Sequence, residues 1–242
     1  MDDRPTFGSL FAGIGGLDLG LERAGWECRW QVEIEPYCRA ILEKHWPAVP
    51  RFQDVRTVGG DLERVDLVCG GFPCQDISDA HTNGRRRALT GGKSGLWSEF
   101  RRIVYSLAPT WVVVENVAAR GRWVPDVRAD LARLGYASVP LELRAGSFGA
   151  PHRRPRVFLV AHADGESEPL RALHAEVAGL SPVPAFGGHW RTPAPGGLRL
   201  DDGVPAGVDR TRAAGNAVVP QVAEWVGRRL MEAHKTNSRE TT

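Results

Sequence analysis

The sequence predicts an α/β protein built on a doubly wound, mostly parallel sheet. Two uninterrupted apolar runs, Val65–Cys69 and Trp111–Val114, are typical of strands that helices cover on both faces. Between them, Leu96–Leu107 has the spacing of an amphipathic helix, and Pro109 prevents that helix from continuing. Strands that alternate with helices along a chain favour parallel pairing through crossover connections.

The first part of the chain shows the same alternation. Phe7–Phe11 is a short apolar segment that we expect to be a strand, and a helix then runs from Leu17 until Gly25 stops it. A second strand is predicted over Glu27–Ile34, and Pro36 suits the first turn of the next helix.

The later elements are predicted in the same way. A helix over Val124–Leu134 is stopped by Gly135, and Val139–Leu143 and Arg156–His162 are the last strand candidates. Near the end of the chain, apolar residues return on one side of a predicted helix: Val218, Val219, Val222, Trp225, Val226 and Leu230.

These patterns divide the 242 residues into four parts. Residues 1–162 form the expected core, and residues 163–210 form a small irregular subdomain rich in Pro and Gly. Residues 211–234 hold a C-terminal helix that returns to the core, and residues 235–242 are expected to be a flexible tail.

The composition sets limits on the class of protein. With 42% hydrophobic and 25% charged residues it is an ordinary globular chain, and its net charge of +2 identifies no partner. The four cysteines show no CxxC spacing and no zinc-like pairing with histidine, so we expect no bound metal. We expect Cys28, Cys38 and Cys69 to be buried and to pack as small apolar residues. Without a recognisable secretory leader or long apolar span, we expect a reduced, cytoplasmic monomer that does not bind membranes.

A glycine-rich loop, Phe11–Gly16, follows the first predicted strand and suggests a nucleotide site. A dinucleotide-binding loop would have a third glycine where this chain has Asp18, which argues against a pyrophosphate. Glu33, at the end of the second strand, suits the hydroxyl groups of a ribose, and Asp54 suits an adenine amino group. Ribose and adenine contacts without a pyrophosphate site indicate S-adenosylmethionine.

A thiol and a carboxyl group follow two other predicted strands. Cys74 lies in the turn Gly70–Gln75 directly after Val65–Cys69, and Glu115 follows Trp111–Val114. The carboxyl ends of parallel strands meet at one edge of a sheet, where open α/β folds bind their ligands. This pair suits nucleophilic attack on an electron-poor ring that is protonated elsewhere.

Six motifs in order resemble those of the cytosine-C5 DNA methyltransferase family. They are Phe11–Gly16, Glu33–Glu35, Gly71–Gln75, Glu115–Val117, His152–Arg156 and Arg212–Val218. Two features depart from the family pattern. His152 stands where the family has glutamine, and only about 45 residues separate Ala163 from Val208, where the family carries a larger target-recognition domain. The signature that normally follows that domain is reduced at best to Arg191-Thr192-Pro193.

The resemblance implies a Rossmann-like methyltransferase fold, a duplex DNA substrate and a catalytic set. Cys74 would add to C6 of a flipped cytosine, and Glu115, its pKa raised by burial, would donate a proton toward N3. Arg154 and Arg156 would anchor the base, with Arg156 near its O2 and beside Glu115. Asn116 is expected to order the loop.

The resemblance also implies two sets of binding residues. The residues expected at the cofactor are Phe11, Gly13, Gly15, Gly16, Glu33, Ile34, Asp54, Val55, Pro73, Leu96, Asn216 and Val218. A polar, glycine-containing stretch over residues 78–93 suits a loop that closes over the base. The residues expected to contact DNA are Gln75, Ser78, Arg85, Arg86, Arg87 and Lys93.

Three other functions remain open at this point. An RNA cytosine methyltransferase of the same fold is conceivable because the recognition segment is short. A catalytically silent DNA-binding protein is disfavoured by the presence of Cys74, Glu115 and Arg156 together, and a nicotinamide oxidoreductase by Asp18. We place the protein in the cytoplasm of a prokaryotic or phage-infected cell.

Overall fold

The computed structural model describes residues 4–73, 95–118, 123–150, 152–163, 168–180 and 215–240. Within these residues, seven strands form one sheet. The strands are β1 (Thr6–Leu10), β2 (Glu27–Val32), β3 (Arg51–Phe52), β4 (Leu67–Gly70), β5 (Trp111–Val117), β6 (Ala137–Arg144) and β7 (Pro155–His162).

The described helices connect these strands and cover the sheet. They are α1 (Gly16–Arg23), α2 (Pro36–His45), α3 (Gly95–Leu107), α4 (Val124–Arg133), α5 (Glu168–Ala178) and α6 (Pro220–Glu240). Two short 3-10 helices follow β3 and β6, at Val55–Thr57 and Ala145–Phe148. None of the helices in the described ranges has both the length and the apolar character that crossing a bilayer requires.

The strand order is β3-β2-β1-β4-β5-β7-β6, with β1 to β5 parallel and β7 antiparallel to both of its neighbours. The chain runs outward from β1 to β3, then returns to the other side of β1 with β4. The predicted doubly wound, mostly parallel sheet is therefore confirmed. It has its switch point between β1 and β4, where such folds bind ligands.

Apolar side chains fill both faces of the sheet. In β5, Val112 and Val114 lie in the cluster under α3 and α4, whereas Trp111 and Val113 lie in the cluster under α1, α5 and α6. Successive residues of a strand point to opposite faces, so an uninterrupted apolar run is what a strand between two helical layers requires.

Helices α1 and α6 approach each other closely because small residues line their contact. A Cβ atom built on Gly20 would lie 2.4 Å from the Cβ of Ala223, and one on Gly227 would lie 2.8 Å from the Cβ of Ala24. The indole N–H of Trp26 donates to the Gly227 carbonyl at 2.9 Å. The last helix is thereby fixed to the first.

Two C-terminal features differ from the sequence-based expectations. Glu168–Ala178 is a helix and not irregular chain, because Leu170 and Leu173 bury one helical face in the core. Helix α6 continues to Glu240, six residues past the expected end at His234, because its backbone bonding does not require apolar neighbours. The assignment of residues 163–210 to target recognition stays a prediction.

Candidate active site

Two loops leave the sheet beside a strand that continues. Leu10 and Gly70 are register partners at the carboxyl ends of β1 and β4, and Val114, the partner of Gly70 in β5, is followed by three more strand residues that pair with β7. A Cβ on Gly70 would lie 2.1 Å from the Leu10 carbonyl oxygen, so only glycine permits this approach. The glycine-rich loop, the turn toward Cys74 and the segment with Glu115 therefore start side by side, as predicted.

The glycine-rich loop is held by Glu33. The backbone N–H of Gly13 donates to Oε2 of Glu33 at 2.7 Å, and the N–H of Glu35 donates to Oε1 at 2.8 Å. Gly13 has a φ of 57°, and apart from its chain neighbours no atom of the described residues lies within 4 Å of a Cβ built on it. The loop thus leaves room for a ligand beside a buried carboxylate.

Ile34 lies next to this carboxylate with half of its surface exposed. It is one of two large exposed apolar residues in the described part of the chain. Because β2 ends at Val32, Glu33 and Ile34 belong to the loop beyond it. The position suits an adenine ring resting on Ile34 while Glu33 faces its ribose, and both contacts stay predictions.

Asp54 is engaged by a neighbouring arginine. Its carboxylate caps the 3-10 helix through the N–H of Arg56, and the Arg56 side chain pairs with both oxygens at 2.7 to 3.1 Å. The pKa of Asp54 is lowered by these bonds. An adenine amino group would have to share this carboxylate with Arg56.

Arg102 holds the loop that contains Asp54 and Val55. One of its guanidinium nitrogens, Nη2, donates to the carbonyls of Val55 and Val58 at 2.9 and 2.7 Å, and its Nε pairs with Glu99 at 2.7 Å. No role at this site was predicted for Arg102 from the sequence. A helical arginine that serves two carbonyl groups in a distant loop leaves no local sequence signal.

Asn116, near the end of β5, joins that strand to the loop after β4. Its Nδ2 donates to the Phe72 carbonyl at 2.9 Å, and its Oδ1 accepts from the N–H of Val117 at 2.8 Å. The Phe72 ring lies 5.8 Å from those of Trp97 and Trp123. The expected ordering role of Asn116 is consistent with these bonds, which fix the backbone two residues before Cys74.

Cys74 itself lies outside the described residues. So do the six expected DNA contacts, Gln75, Ser78, Arg85, Arg86, Arg87 and Lys93. Pro73, the last described residue before them, is half-buried. Cys28 and Cys69 are buried as expected, and desolvation raises the pKa of both thiols.

Glu115 is a buried acid at the end of this loop cluster. Only 7% of it is exposed, and desolvation raises its pKa to about 7 although Arg156 and Arg154 act in the opposite direction. Its Oε1 lies 3.2 Å from Nε of Arg156, a contact without hydrogen-bond geometry. A Cβ on Gly71 would lie 3.0 Å from Oε2. The carboxyl group can therefore hold or release a proton near neutral pH.

Arg154 and Arg156 point to different parts of the protein. Arg156 faces Glu115, whereas Nη2 of Arg154 donates to the carbonyls of Gly215 and Ala217, both at 2.7 Å. The two side chains line an open crevice of about 210 Å³ together with the apolar residues Leu143, Ala145, Phe158, Val218, Val219 and Val222.

The remaining cofactor candidates converge on the same edge. A Cβ on Gly16 would lie 2.2 Å from the carbonyl oxygen of Val218, so the segment before α6 closes against the glycine-rich loop. Phe11, with a φ of 54°, begins that loop, and Gly15 lies under Trp46. Leu96 begins α3 and is half-buried, whereas Asn216 is exposed. The described residues contain no cluster of three or more His, Cys, Asp or Glu side chains that could hold a metal ion.

The chain is similar to known cytosine methyltransferases. Residues 6–186 match the family model described as C-5 cytosine-specific DNA methylase. Type II methyltransferase M2.BsuMI of Bacillus subtilis is 35% identical over 162 residues, which cover 63% of this chain and 41% of that protein. Type II methyltransferase M1.HphI of Haemophilus parahaemolyticus is 36% identical over 176 residues, which cover 66% and 46%.

A solved structure supports the same comparison. A DNA modification methyltransferase encoded within an E. coli prophage has a TM-score of 0.54 at 27% identity, over 65% of this chain and 46% of that one. The chain thus spans less than half the length of the two curated relatives above.

Proposed function

Because the chain belongs to the family of C-5 cytosine-specific DNA methylases, we propose that it methylates C5 of cytosine in duplex DNA. The observation that carries the proposal is Glu115, a buried acid with a pKa of about 7 beside Arg156 and the turn that leads to Cys74. A carboxyl group that titrates near neutrality can deliver a proton to a ring nitrogen and later take it back.

S-adenosylmethionine is the proposed methyl donor, and the residues present fit it. Oε2 of Glu33 accepts from the glycine-rich loop and Oε1 accepts from the N–H of Glu35, and an oxygen that accepts one N–H still has a free lone pair for a ribose hydroxyl. The open space at Gly13 admits the methionine part of the molecule. The donor would supply an electrophilic methyl group on sulfur.

The first step activates the pyrimidine. The Cys74 thiolate adds to C6, which forms the C–S bond, while Glu115 transfers its proton to N3 as electron density moves there. Arg156 would contact the base at O2 and hold the Glu115 carboxylate that results. C5 becomes enamine-like and nucleophilic through this addition.

The second step returns the enzyme to its starting state. C5 would take the methyl group from the donor held beside Glu33 and Gly13, which would thereby become a neutral thioether. A base, which water can supply, then removes the C5 proton. The C–S bond breaks to release the Cys74 thiolate, and N3 returns its proton to Glu115. Atoms and charge balance without an additional reactant.

The target cytosine must leave the helix to reach this edge of the sheet. We propose that Gln75, Ser78, Arg85, Arg86, Arg87 and Lys93 contact the DNA backbone around it. Residues 163–210 are the segment that we propose to read sequence. The relatives' designation as Type II methyltransferases supports a role in restriction and modification. We propose that the protein carries out this role as a monomer in the cytoplasm.

Covalent trapping tests the proposal. Duplexes of varied sequence that contain 5-fluorocytosine should become attached to the protein in the presence of S-adenosylmethionine, because fluorine at C5 cannot be removed as a proton. A Cys74→Ala variant is the control and should trap nothing. Trapping of transfer RNA alone would favour the RNA methyltransferase. Binding of DNA with neither trapping nor methylation would favour a silent DNA-binding protein.

A further inference from the structure

We propose that Arg154 is a positioning residue that holds the segment Gly215–Val218 against the glycine-rich loop, and so couples the cofactor side of the site to the Glu115–Arg156 pair. The inference rests on the proposed function, since it concerns the same site. It also revises the sequence-based expectation that Arg154 anchors the cytosine.

The hydrogen bonds of Arg154 support this role. One nitrogen, Nη2, donates to two backbone carbonyl oxygens, those of Gly215 and Ala217, each at 2.7 Å. These acceptors lie 61 and 63 residues further along the chain, directly before α6. A guanidinium with two charge-assisted bonds to carbonyl groups is already oriented by the protein, and it would have to lose them to reach a base.

The backbone at Arg154 favours the same conclusion. Arg154 has a φ of 35°, which side-chain-bearing residues rarely adopt, and it precedes Pro155, which restricts it further. Such a conformation persists only where the surroundings fix it. Here it separates the directions of Arg154 and Arg156, so that one faces the C-terminal segment and the other faces Glu115.

The held segment closes the cofactor side of the site. A Cβ on Gly16 would lie 2.2 Å from the carbonyl oxygen of Val218, so the two backbones are in direct contact. Arg154 and Arg156 line the same crevice as Val218, and they are two residues apart in sequence. The arginine that faces Glu115 is therefore next to the one that bonds to the segment before α6.

Cofactor binding without DNA provides the first test, by calorimetric titration of S-adenosylmethionine. Arg154→Gln should raise the Kd about tenfold or more, because the neutral side chain cannot replace two charge-assisted bonds. Arg154→Lys should recover part of the loss. Arg153→Gln is the matched control, since Arg153 is the adjacent exposed arginine, and its Kd should equal that of wild type.

Kinetics separate positioning from contact with the base. At saturating cofactor, kcat of Arg154→Lys should stay within about threefold of wild type while KM for the cofactor rises. Hydrogen exchange of residues 215–219 should also become faster in Arg154→Lys, which tests the contact even if Arg154→Gln does not fold.

Two results would overturn the inference. One is an unchanged cofactor Kd with a lower kcat, which would assign Arg154 to the base. The other is a cofactor Kd that is the same for Arg153→Gln and Arg154→Gln. Wild-type protein that binds S-adenosylmethionine without methylating DNA would instead contradict the proposed function, and the binding and exchange results would still decide the role of Arg154.

Discussion

Oε1 of Glu115 lies 3.2 Å from Nε of Arg156, yet the Glu115 carboxyl has a pKa of about 7. Desolvation is the largest cause, and it exceeds the opposing effect of the two neighbouring arginines. The protonated form of this acid is therefore present near neutral pH, where the proposed reaction needs it.

The first prediction concerns the pH dependence of methylation. Glu115 donates only when protonated, so kcat/KM should decline as the pH rises through about 7. Glu115→Gln should lower kcat/KM by roughly 10²- to 10⁴-fold, and its residual activity should lack this decline. Steady-state rates from pH 5.5 to 9 test both points. An unchanged decline in the variant would assign it to another group.

The second prediction concerns the amide of Asn116. Asn116→Asp replaces the donor to the Phe72 carbonyl with a carboxylate that this oxygen repels. We expect the free energy of unfolding to fall by about 1–3 kcal/mol, because a buried hydrogen bond is lost. We also expect kcat to fall about tenfold or more, because Cys74 lies two residues after Phe72. Cofactor affinity should not change. Denaturation, single-turnover kinetics and calorimetry measure the three quantities, and an unaltered kcat would refute the ordering role.

The third prediction compares two adjacent arginines on α3. Arg102→Gln should raise KM for S-adenosylmethionine about tenfold, because the loop of Val55 and Val58 loses the charged donor to its two carbonyls. Arg101→Gln is the control, since Arg101 pairs with Asp130 on α4 and makes no bond to that loop. An equal rise in KM for the two variants would show that it depends on the positive charge of α3 and not on the contact with the loop.

The fourth prediction concerns stability and pH. Asp18 is fully buried, accepts from Ser9 and Gln31, and has a pKa raised to about 6 by desolvation. The folded state therefore holds a proton that the unfolded state loses between about pH 4 and 6, so this residue lowers stability as the pH rises through that range.

Asp18→Asn removes that penalty. The stability of the variant relative to wild type should increase by about 3 kcal/mol between pH 4 and 7, from a shift of roughly 2 pKa units. Urea denaturation at several pH values measures the difference. A stability difference between Asp18→Asn and wild type that stays constant with pH would contradict the prediction.

The fifth prediction concerns the contact between α1 and α6. Gly20→Ala gains about 1 kcal/mol of helix propensity, but its Cβ would lie 2.6 Å from the Pro220 carbonyl oxygen. Backbone cannot yield without moving α6, so we expect a net loss of about 1–3 kcal/mol in stability. Gly60→Ala is the control, because the nearest atom, Cβ of Ser106, is 3.9 Å away. Equal denaturation midpoints for Gly20→Ala and wild type would refute the tight contact between α1 and α6.

The sheet and the position of its functional edge were predictable from local patterns. Apolar runs such as Trp111–Val114 report burial on both faces, and turn residues such as Gly70 report where a strand ends. Glu33 was predicted at the carboxyl end of its strand and lies directly after β2, whereas the strand predicted to end before Glu115 continues to Val117 because β7 pairs with it. The features predicted correctly depend on neighbours in sequence.

The partners of charged side chains were not predictable in the same way. Arg154 bonds to carbonyls 61 and 63 residues away, and Arg102 to carbonyls 44 and 47 residues away. A backbone carbonyl is present at every residue, so the sequence cannot indicate which one an arginine will meet. Asp54 differs because its partner, Arg56, is only two residues away. The sequence nevertheless does not show whether Asp54 bonds to Arg56 or to a ligand.

The junction of α1 with α6 has a consequence for synthesis of the protein. Gly16 and Val218 are about 200 residues apart in the sequence, so their contact can form only after nearly all of this chain has been synthesised. A nascent chain that has not reached Val218 contains the glycine-rich loop without the segment that packs against it. If the proposed function holds, methyl transfer would accordingly begin only after the segment before α6 has been synthesised and has folded against this loop.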